Sequence, residues 1–449
     1  MSGIAELLAN LGFIVSGSDL KRSEVTARLE KAGVTVQEGH HGDNIGSTDV
    51  VVVSSAVKSS NPEVVAAHER GIPVIPRAEM LAELMRLKYS VAVAGSHGKT
   101  TTTSMIAFVL ERAGLDPTAV IGGRLSAFGS NARLGRGEYM VAEADESDRS
   151  FLMLWPTMAV ITNIDHEHME SYASFAELQQ AFVKFANKVP FYGSVIACAS
   201  DPHVAQVLPA VKRRVVSYGL DHEAAQIVGT DVELGAFGAR CRVHRRREGV
   251  LQPIGSLELS VPGRHNLENA LAAVAVGGVL GVSLDRVADA LREFQGAERR
   301  FQRYGEVNGV LVVDDYGHHP TEIAAVLAAA RASLGRRLVV VFQPHRYSRT
   351  QRLMAEFGTS LRDADEILLT EIYAAGEDPL PGITGEALGE VIRSGSGRPV
   401  RFVKTLDAVL PALLDIVKPG DAVITLGAGS IGTLPRRILD ALAQEGTRH

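Results

Sequence analysis

Val91-Ala92-Val93-Ala94-Gly95-Ser96-His97-Gly98-Lys99-Thr100-Thr101-Thr102 reads as a buried strand, a turn with two glycines, and the opening of a helix that runs to about Ala113. In such a junction the glycines let backbone N–H groups converge on an anion, and the helix N-terminus adds the positive end of its dipole. Lys99 would then reach the β- and γ-phosphates of a nucleotide, and the Thr100 hydroxyl a Mg²⁺ ion. The spacing is G-x-x-G-K-T, shorter than G-x-x-x-x-G-K-[ST], whose first glycine would fall at Val93. As six bare letters the match would be a plain turn. The apolar strand before it and the three threonines after it make it a nucleotide loop, with Gly95, Ser96, His97, Gly98, Lys99, Thr100 and Thr101 as the expected ATP contacts.

Outward from this loop, Val- and Ile-rich runs alternate with helical stretches from end to end, which argues for stacked α/β units with parallel sheets. The 449 residues exceed one hydrophobic core, and a prior of roughly 100–200 residues per domain gives about three. The first, 1–88, opens with a helix over 2–11, a short strand over 13–15 and a turn over 16–19. An acid at the end of a second strand is where nucleotide-binding α/β folds hold a ribose hydroxyl, so Ser18 and Asp19 are expected substrate contacts. The second unit, 89–297, carries an insertion of antiparallel character between about 225 and 261. The third, 298–449, has a doubly wound pattern whose strand order the sequence leaves open.

Lys plus Arg number 46 against 52 Asp plus Glu, a net charge of −6, which gives no general attraction to nucleic acid or anionic lipid. Neither is an expected partner. The one dense basic run, 244–247, reads as the solvated edge of a β-ribbon. Cys198 and Cys241 cannot form a disulfide framework, and both read as ordinary core residues of a reducing compartment. The apolar runs fall far short of the roughly 20 residues that span a bilayer, and Met1 is not followed by a basic-then-apolar leader. The expectation is a cytoplasmic protein, a monomer or weak homodimer.

Phosphoryl transfer needs a divalent cation to offset charge on the γ-phosphoryl group, so oxygen or imidazole ligands should stand at strand ends near the loop. Glu143 opens Glu143-Ala144-Asp145-Glu146-Ser147-Asp148, four carboxylates that repel unless a cation or hydrogen bonds compensate; a solvated capping turn is the alternative. His168 stands in Thr162-Asn163-Ile164-Asp165-His166-Glu167-His168, beside a second imidazole at His166. His265, Asn266 and Asn269 lie within one helical turn, able to bond an adenine edge or simply to cap the helix. Asp314-Asp315-Tyr316-Gly317-His318-His319-Pro320-Thr321-Glu322 and Gln343-Pro344-His345-Arg346-Tyr347-Ser348-Arg349-Thr350 each follow a buried strand and precede a helix. That is the usual ligand crevice of an α/β sheet, and its arginines suit a carboxylate.

Together these motifs resemble the Mur ligase family. The loop is similar to the family's ATP loop, and the acidic run to its E-A-D-E-S-D box, whose leading glutamate binds Mg²⁺. His168 resembles the ligand of a second Mg²⁺, although the family more often has Asp where this chain has Glu167. His265, Asn266 and Asn269 match the adenine segment, and Arg299 or Arg300 resembles the arginine that reaches the nucleotide from the C-terminal domain. The resemblance implies an α/β fold in three domains: a Rossmann-like UDP-binding domain, a P-loop-type central ATPase domain and a Rossmann-like C-terminal domain. It implies an ATP- and Mg²⁺-dependent ligase of peptidoglycan precursor synthesis, with Lys99 and His168 catalytic. The last two motifs are those of the branch that joins L-alanine to UDP-N-acetylmuramate through an acyl phosphate, with Tyr316, His318, His345, Arg346 and Arg349 around the amino acid. The murein-tripeptide-recycling branch is the nearest alternative; Ser147 and the stretch 76–80 favour alanine addition. A P-loop kinase or NTPase and an inactive nucleotide-sugar binding protein are the alternatives from other classes.

The family's first strand and Gly-rich turn, which wrap the UDP diphosphate, would stand before Met1, so the expectation is a start codon placed too late. In-frame genomic DNA upstream should encode a strand of roughly 5–6 residues and a glycine turn; an immediate stop codon there would refute this.

Overall fold

Val91, Ala92, Val93 and Ala94 have no solvent exposure, because the strand they form lies inside a sheet with both neighbours paired in parallel. The computed structural model describes every residue except 55, 126–129, 168, 170, 236–237, 297–298, 300 and 447–449. The chain divides into two compact units, one of Met1–Val232, Cys241–Glu258 and His265–Gln295, the other of Glu233–Arg240, Leu259–Arg264 and Gly296–His449.

In the first unit, β1 (Ser16–Asp19) pairs in parallel with β2 (Thr35–Glu38), and β3 (Val51–Val53) with β4 (Val74–Pro76). Next come β5 (Tyr89–Ala94), β6 (Thr118–Leu125), β7 (Ser130–Arg133), β8 (Tyr139–Glu143) and β9 (Met158–Ile161). They are followed by β10 (Ser194–Cys198), β11 (Val215–Leu220), β12 (Ile227–Gly235), β13 (Gly238–Arg247) and β14 (Val250–Leu259). These ten build one sheet in the order β14-β13-β12-β11-β10-β9-β5-β8-β6-β7. The pairs from β6 through β8, β5, β9, β10 and β11 to β12 are parallel, so their carboxyl ends share one edge. Phe151, Phe182 and Phe185 pack ring to ring beneath it, and Ile4, Leu7, Leu81 and Met85 join the same core. The expected boundary near 88 therefore falls inside this unit.

The second unit is built on β15 (Gln302–Val307), β16 (Val310–Asp315), β17 (Arg337–Phe342), β18 (Glu366–Leu369), β19 (Val400–Phe402) and β20 (Asp421–Leu426). Their order is β15-β16-β20-β17-β18-β19, antiparallel only at β15. Alternation along each strand explains the two layers. Leu311, Val313, Leu338 and Val340 meet Ile323, Leu327, Phe357 and Ile392 on one face. Val310, Val312, Val339 and Val341 meet Val409, Leu413, Ile438 and Leu442 on the other. The doubly wound pattern is thus present, and the strand order left open by the sequence has the last strand, β20, in the middle.

Two expectations change. The strand expected at 13–15 begins instead at Ser16: Phe13 and Ile14 are 60% and 104% exposed, and pairing with Thr35–Glu38, not hydropathy, defines the ladder. The basic run 244–247 lies on β13, between β12 and β14 and not at an edge; Arg246 bonds the carbonyls of Gly249 and Glu223. Cys198 and Cys241 are buried and free, and burial pushes both thiols up to about 12, leaving them unreactive. Among the described residues no helix is long and apolar enough to cross a membrane.

Phe151 is fully buried between two other phenylalanines, so Phe151→Ala should lower the stability of this unit by about 3–5 kcal/mol, read as a shifted urea midpoint.

Candidate active site

The turn between β5 and the helix Lys99–Arg112 is shaped by contact. At Gly95 (φ +144°) an added Cβ would stand 2.0 Å from Thr162 Oγ1, and at Gly98 (φ +77°) 2.7 Å from Asn269 Oδ1; only glycine fits either place. The segment after β9 pins the turn. The Ser96 and His97 amides donate to Asn163 O and Oδ1 at 3.1 and 2.7 Å. Thr162 Oγ1 and Asn163 Nδ2 donate to His97 O at 2.7 and 3.0 Å, and the Asp165 amide to Ser96 Oγ at 2.8 Å. His97 Nε2 stands 3.1 Å from Asp165 Oδ2, so this residue, expected at ATP, ties the loop to its neighbour. No side chain caps the helix at Gly98, and such an uncapped first turn can receive an anion.

Lys99 curls over the loop. Its Nζ donates to Gly95 O at 2.6 Å, Ser96 O at 3.1 Å and Glu146 Oε1 at 2.9 Å. Burial opposes its charge, but Glu146, Asp145 and Glu143 outweigh that and hold the ammonium protonated. Burial in turn raises the Glu146 carboxyl, and the Lys99 ammonium beside it pulls it back toward the carboxylate. The next loop residue meets the next acid: Thr100 Oγ1 lies 3.2 and 3.1 Å from the two Glu143 oxygens. This pair of hard oxygen donors suits Mg²⁺. The acidic turn is braced from behind by Tyr172 OH on Glu146 O at 2.6 Å and by the Phe151 amide on Asp145 O at 2.9 Å.

His168 lies outside the described residues. The neighbouring His166 stacks on Phe175 with ring centroids 3.7 Å apart. Of the expected adenine contacts, Asn269 stands against the phosphate loop, its Oδ1 accepting from Thr102 Oγ1 at 3.0 Å and its Nδ2 lying 3.5 Å from Asn266 Oδ1. His265 is exposed. Near the N-terminus, the Ser18 hydroxyl donates to Glu63 Oε2 at 2.7 Å and lies 2.8 Å from His40 Nδ1. Asp19 is exposed, and its carbonyl accepts from the Gly39 amide at 2.8 Å.

In the second unit, Arg299 is committed to its own fold. Its guanidinium bonds Asp314 Oδ2 at 2.7 Å and Gly427 O at 2.6 Å, and lies over the Tyr316 ring; Arg300 falls outside the described residues. The five residues expected at the amino acid come together at the ends of β16 and β17. The rings of Tyr316, His318, His345 and Tyr373 form a row with successive centroids 5.4, 5.7 and 5.5 Å apart. Arg349 Nη1 lies 3.4 Å from His345 Nδ1. Burial, then Arg349 and Arg346, lower His345 to about 4, so the imidazole is neutral at pH 7. Arg346 has φ +72° and an exposed side chain, and its amide is bonded to Tyr373 O at 2.9 Å. Burial works to raise Glu377, yet bonds from Ser348 and the charge of Arg346 keep it below the usual carboxylate range.

Sequence reasoning passed over Glu146, Asn163, Tyr373 and Glu377 as site residues. Glu146 and Asn163 lie in stretches quoted above and Tyr373 and Glu377 just beyond β18, but nothing in the letters separates a side chain aimed at the loop from one aimed at water.

Three domain descriptions of one family match the chain: the Mur ligase family catalytic domain over 1–89, the Mur ligase middle domain over 93–277, and the Mur ligase glutamate ligase domain over 299–429. The UDP-N-acetylmuramate–L-alanine ligase of Myxococcus xanthus is 53% identical over 98% of this chain and 93% of its own length. The enzyme of the same name from Geotalea daltonii is 52% identical over 99% and 96%. Among solved structures, the UDP-N-acetylmuramate–alanine ligase of Thermotoga maritima superposes with a TM-score of 0.82 at 29% identity, covering 100% of this chain and 97% of that one. A murein peptide ligase from Psychrobacter arcticus gives 0.71 at 27% identity, covering 99% and 96%. With the family's three domains matched in order and half the residues shared with full-length relatives, the chain belongs to the Mur ligase family.

Proposed function

We propose that this chain is the ATP-dependent ligase that joins L-alanine to the carboxylate of UDP-N-acetylmuramate in peptidoglycan precursor synthesis. The observation that carries the reading is the pairing of consecutive loop residues, Lys99 and Thr100, with Glu146 and Glu143 at the end of the adjacent strand. Two relatives above 50% identity carry that enzyme's name. The division of labour is 1–88 for the UDP substrate, 89–297 for ATP and 298–449 for the amino acid, and the site of action is the cytoplasm.

The residues present fit ATP and Mg²⁺. Gly95 and Gly98 let the loop pack against Thr162 and Asn269, where any Cβ would intrude, and the helix that follows has no side-chain cap, which leaves its first amides for phosphate oxygens. Thr100 and Glu143, with His168, would hold the metal, which when bound offsets negative charge on the phosphates. The muramyl carboxylate attacks the γ-phosphorus and displaces ADP, and the amine of alanine then attacks the carbonyl carbon of the acyl phosphate, losing a proton and expelling inorganic phosphate to leave the amide. Lys99 stabilises charge on the transferred group, a task of position and electrostatics with no covalent role for the protein. His265, Asn266 and Asn269 border the nucleotide, with Asn269 bracing the loop, and Arg299 or Arg300 is the counterpart of the family's nucleotide arginine. Ser18 and Asp19 serve the UDP end. Arg346 and Arg349 bind the carboxylate of alanine, while Tyr316, His318 and the neutral His345 wall a pocket that suits a small side chain.

Steady-state ADP release with UDP-N-acetylmuramate and a panel of amino acids tests this. Alanine should stimulate most, with serine and glycine separated from it by only about 1–3 kcal/mol. Stimulation by a murein tripeptide in place of alanine would move the assignment to the recycling branch, and ADP release that ignores the acceptor would point to a kinase or NTPase. Lys99→Ala should reduce ligation by roughly 10²–10³-fold.

A further inference from the structure

Four carboxylates crowd the acidic turn after β8, and of Glu143, Asp145, Glu146 and Asp148 only Glu146 is buried, at 1% exposure. An ammonium has three N–H donors, and those of Lys99 are all engaged, by Gly95 O, Ser96 O and Glu146 Oε1. Any phosphate oxygen gripped by Lys99 must take one of these three places. The ammonium charge assists all three bonds, but the two carbonyls are neutral acceptors whereas Glu146 answers with a carboxylate, so its bond is the strongest. The backbone that carries Glu146 is held by Tyr172 and by the Phe151 amide, and its side chain is buried.

We propose that Glu146 is a positioning residue that competes with the nucleotide's phosphates for the Lys99 ammonium, aiming that lysine while weakening the grip on the triphosphate. The inference rests on the reading of the loop as an ATP site. A carboxylate fixed beside incoming phosphate oxygens repels them at short range in a partly dehydrated place, where like charges interact far more strongly than in water. The same carboxylate keeps a four-carbon side chain in one conformation, which the transfer step needs.

Glu146→Gln keeps shape and acceptor while removing the charge. Titration calorimetry with Mg-ATP should show roughly tenfold tighter binding than wild type, with adenosine binding unchanged, and steady-state assays should show KM for ATP and kcat falling together. A purely structural residue would not tighten ATP binding when replaced. Equal or weaker ATP binding by the folded variant overturns the proposal. Failure of the wild-type chain itself to bind Mg-ATP would instead overturn the ATP reading. Should Glu146→Gln not fold, Glu146→Asp decides by the same titration, since the shorter side chain draws the charge away from Lys99: tighter binding supports the proposal and unchanged or weaker binding overturns it.

Discussion

The parallel register of β5 with β8 and β9 is the constraint from which the candidate nucleotide site follows. Val93 stands opposite Glu143, and Ala94 opposite Ile161, so all three chains leave the sheet at one level. The glycine turn, the acidic turn and the Thr162–Asp165 segment must then share one edge, although they lie some dozens of residues apart in sequence. A slip of one residue would turn Glu143 to the other face and part it from Thr100. Burial on both faces enforces the register, because the strands have apolar residues pointing each way.

The second unit repeats the principle with other chemistry. Asp315, Phe342 and Leu426 end adjacent parallel strands, which brings the motifs after β16 and β17 into contact. Arg299 works as a tie: one guanidinium joins buried Asp314 to the carbonyl of Gly427, fastening the turn after β20 to the end of β16. In the row of Tyr316, His318, His345 and Tyr373 each ring lies against the next, so a change at one disturbs the packing of its neighbours.

Much of this was legible in the letters. The buried strand, glycines, lysine and threonines announce a phosphate loop because each has a separate physical task there, and the alternation of apolar runs announces parallel α/β layers. The sequence could not show that β20 lies between β16 and β17, since strand order depends on packing between elements remote in the chain. It mistook 13–15 for a strand because hydropathy says nothing of which backbone finds a partner. It singled out Glu143 and passed over Glu146, since the two differ only in direction, and direction comes from the turn that follows the strand. Asn269 and Arg299 were read as nucleotide contacts by resemblance to the family's motifs, and the letters do not show that Asn269 also accepts from Thr102 or that Arg299 also bonds Asp314 and Gly427.

Arg346 carries a side chain on a backbone at φ +72° and ψ +135°, a region that only glycine enters freely, at a strain of about 1–3 kcal/mol. Glycine there would relax the chain but remove the guanidinium whose charge acts on His345 and Glu377. Backbone ease and the charge balance at the end of β17 therefore pull this one position in opposite directions.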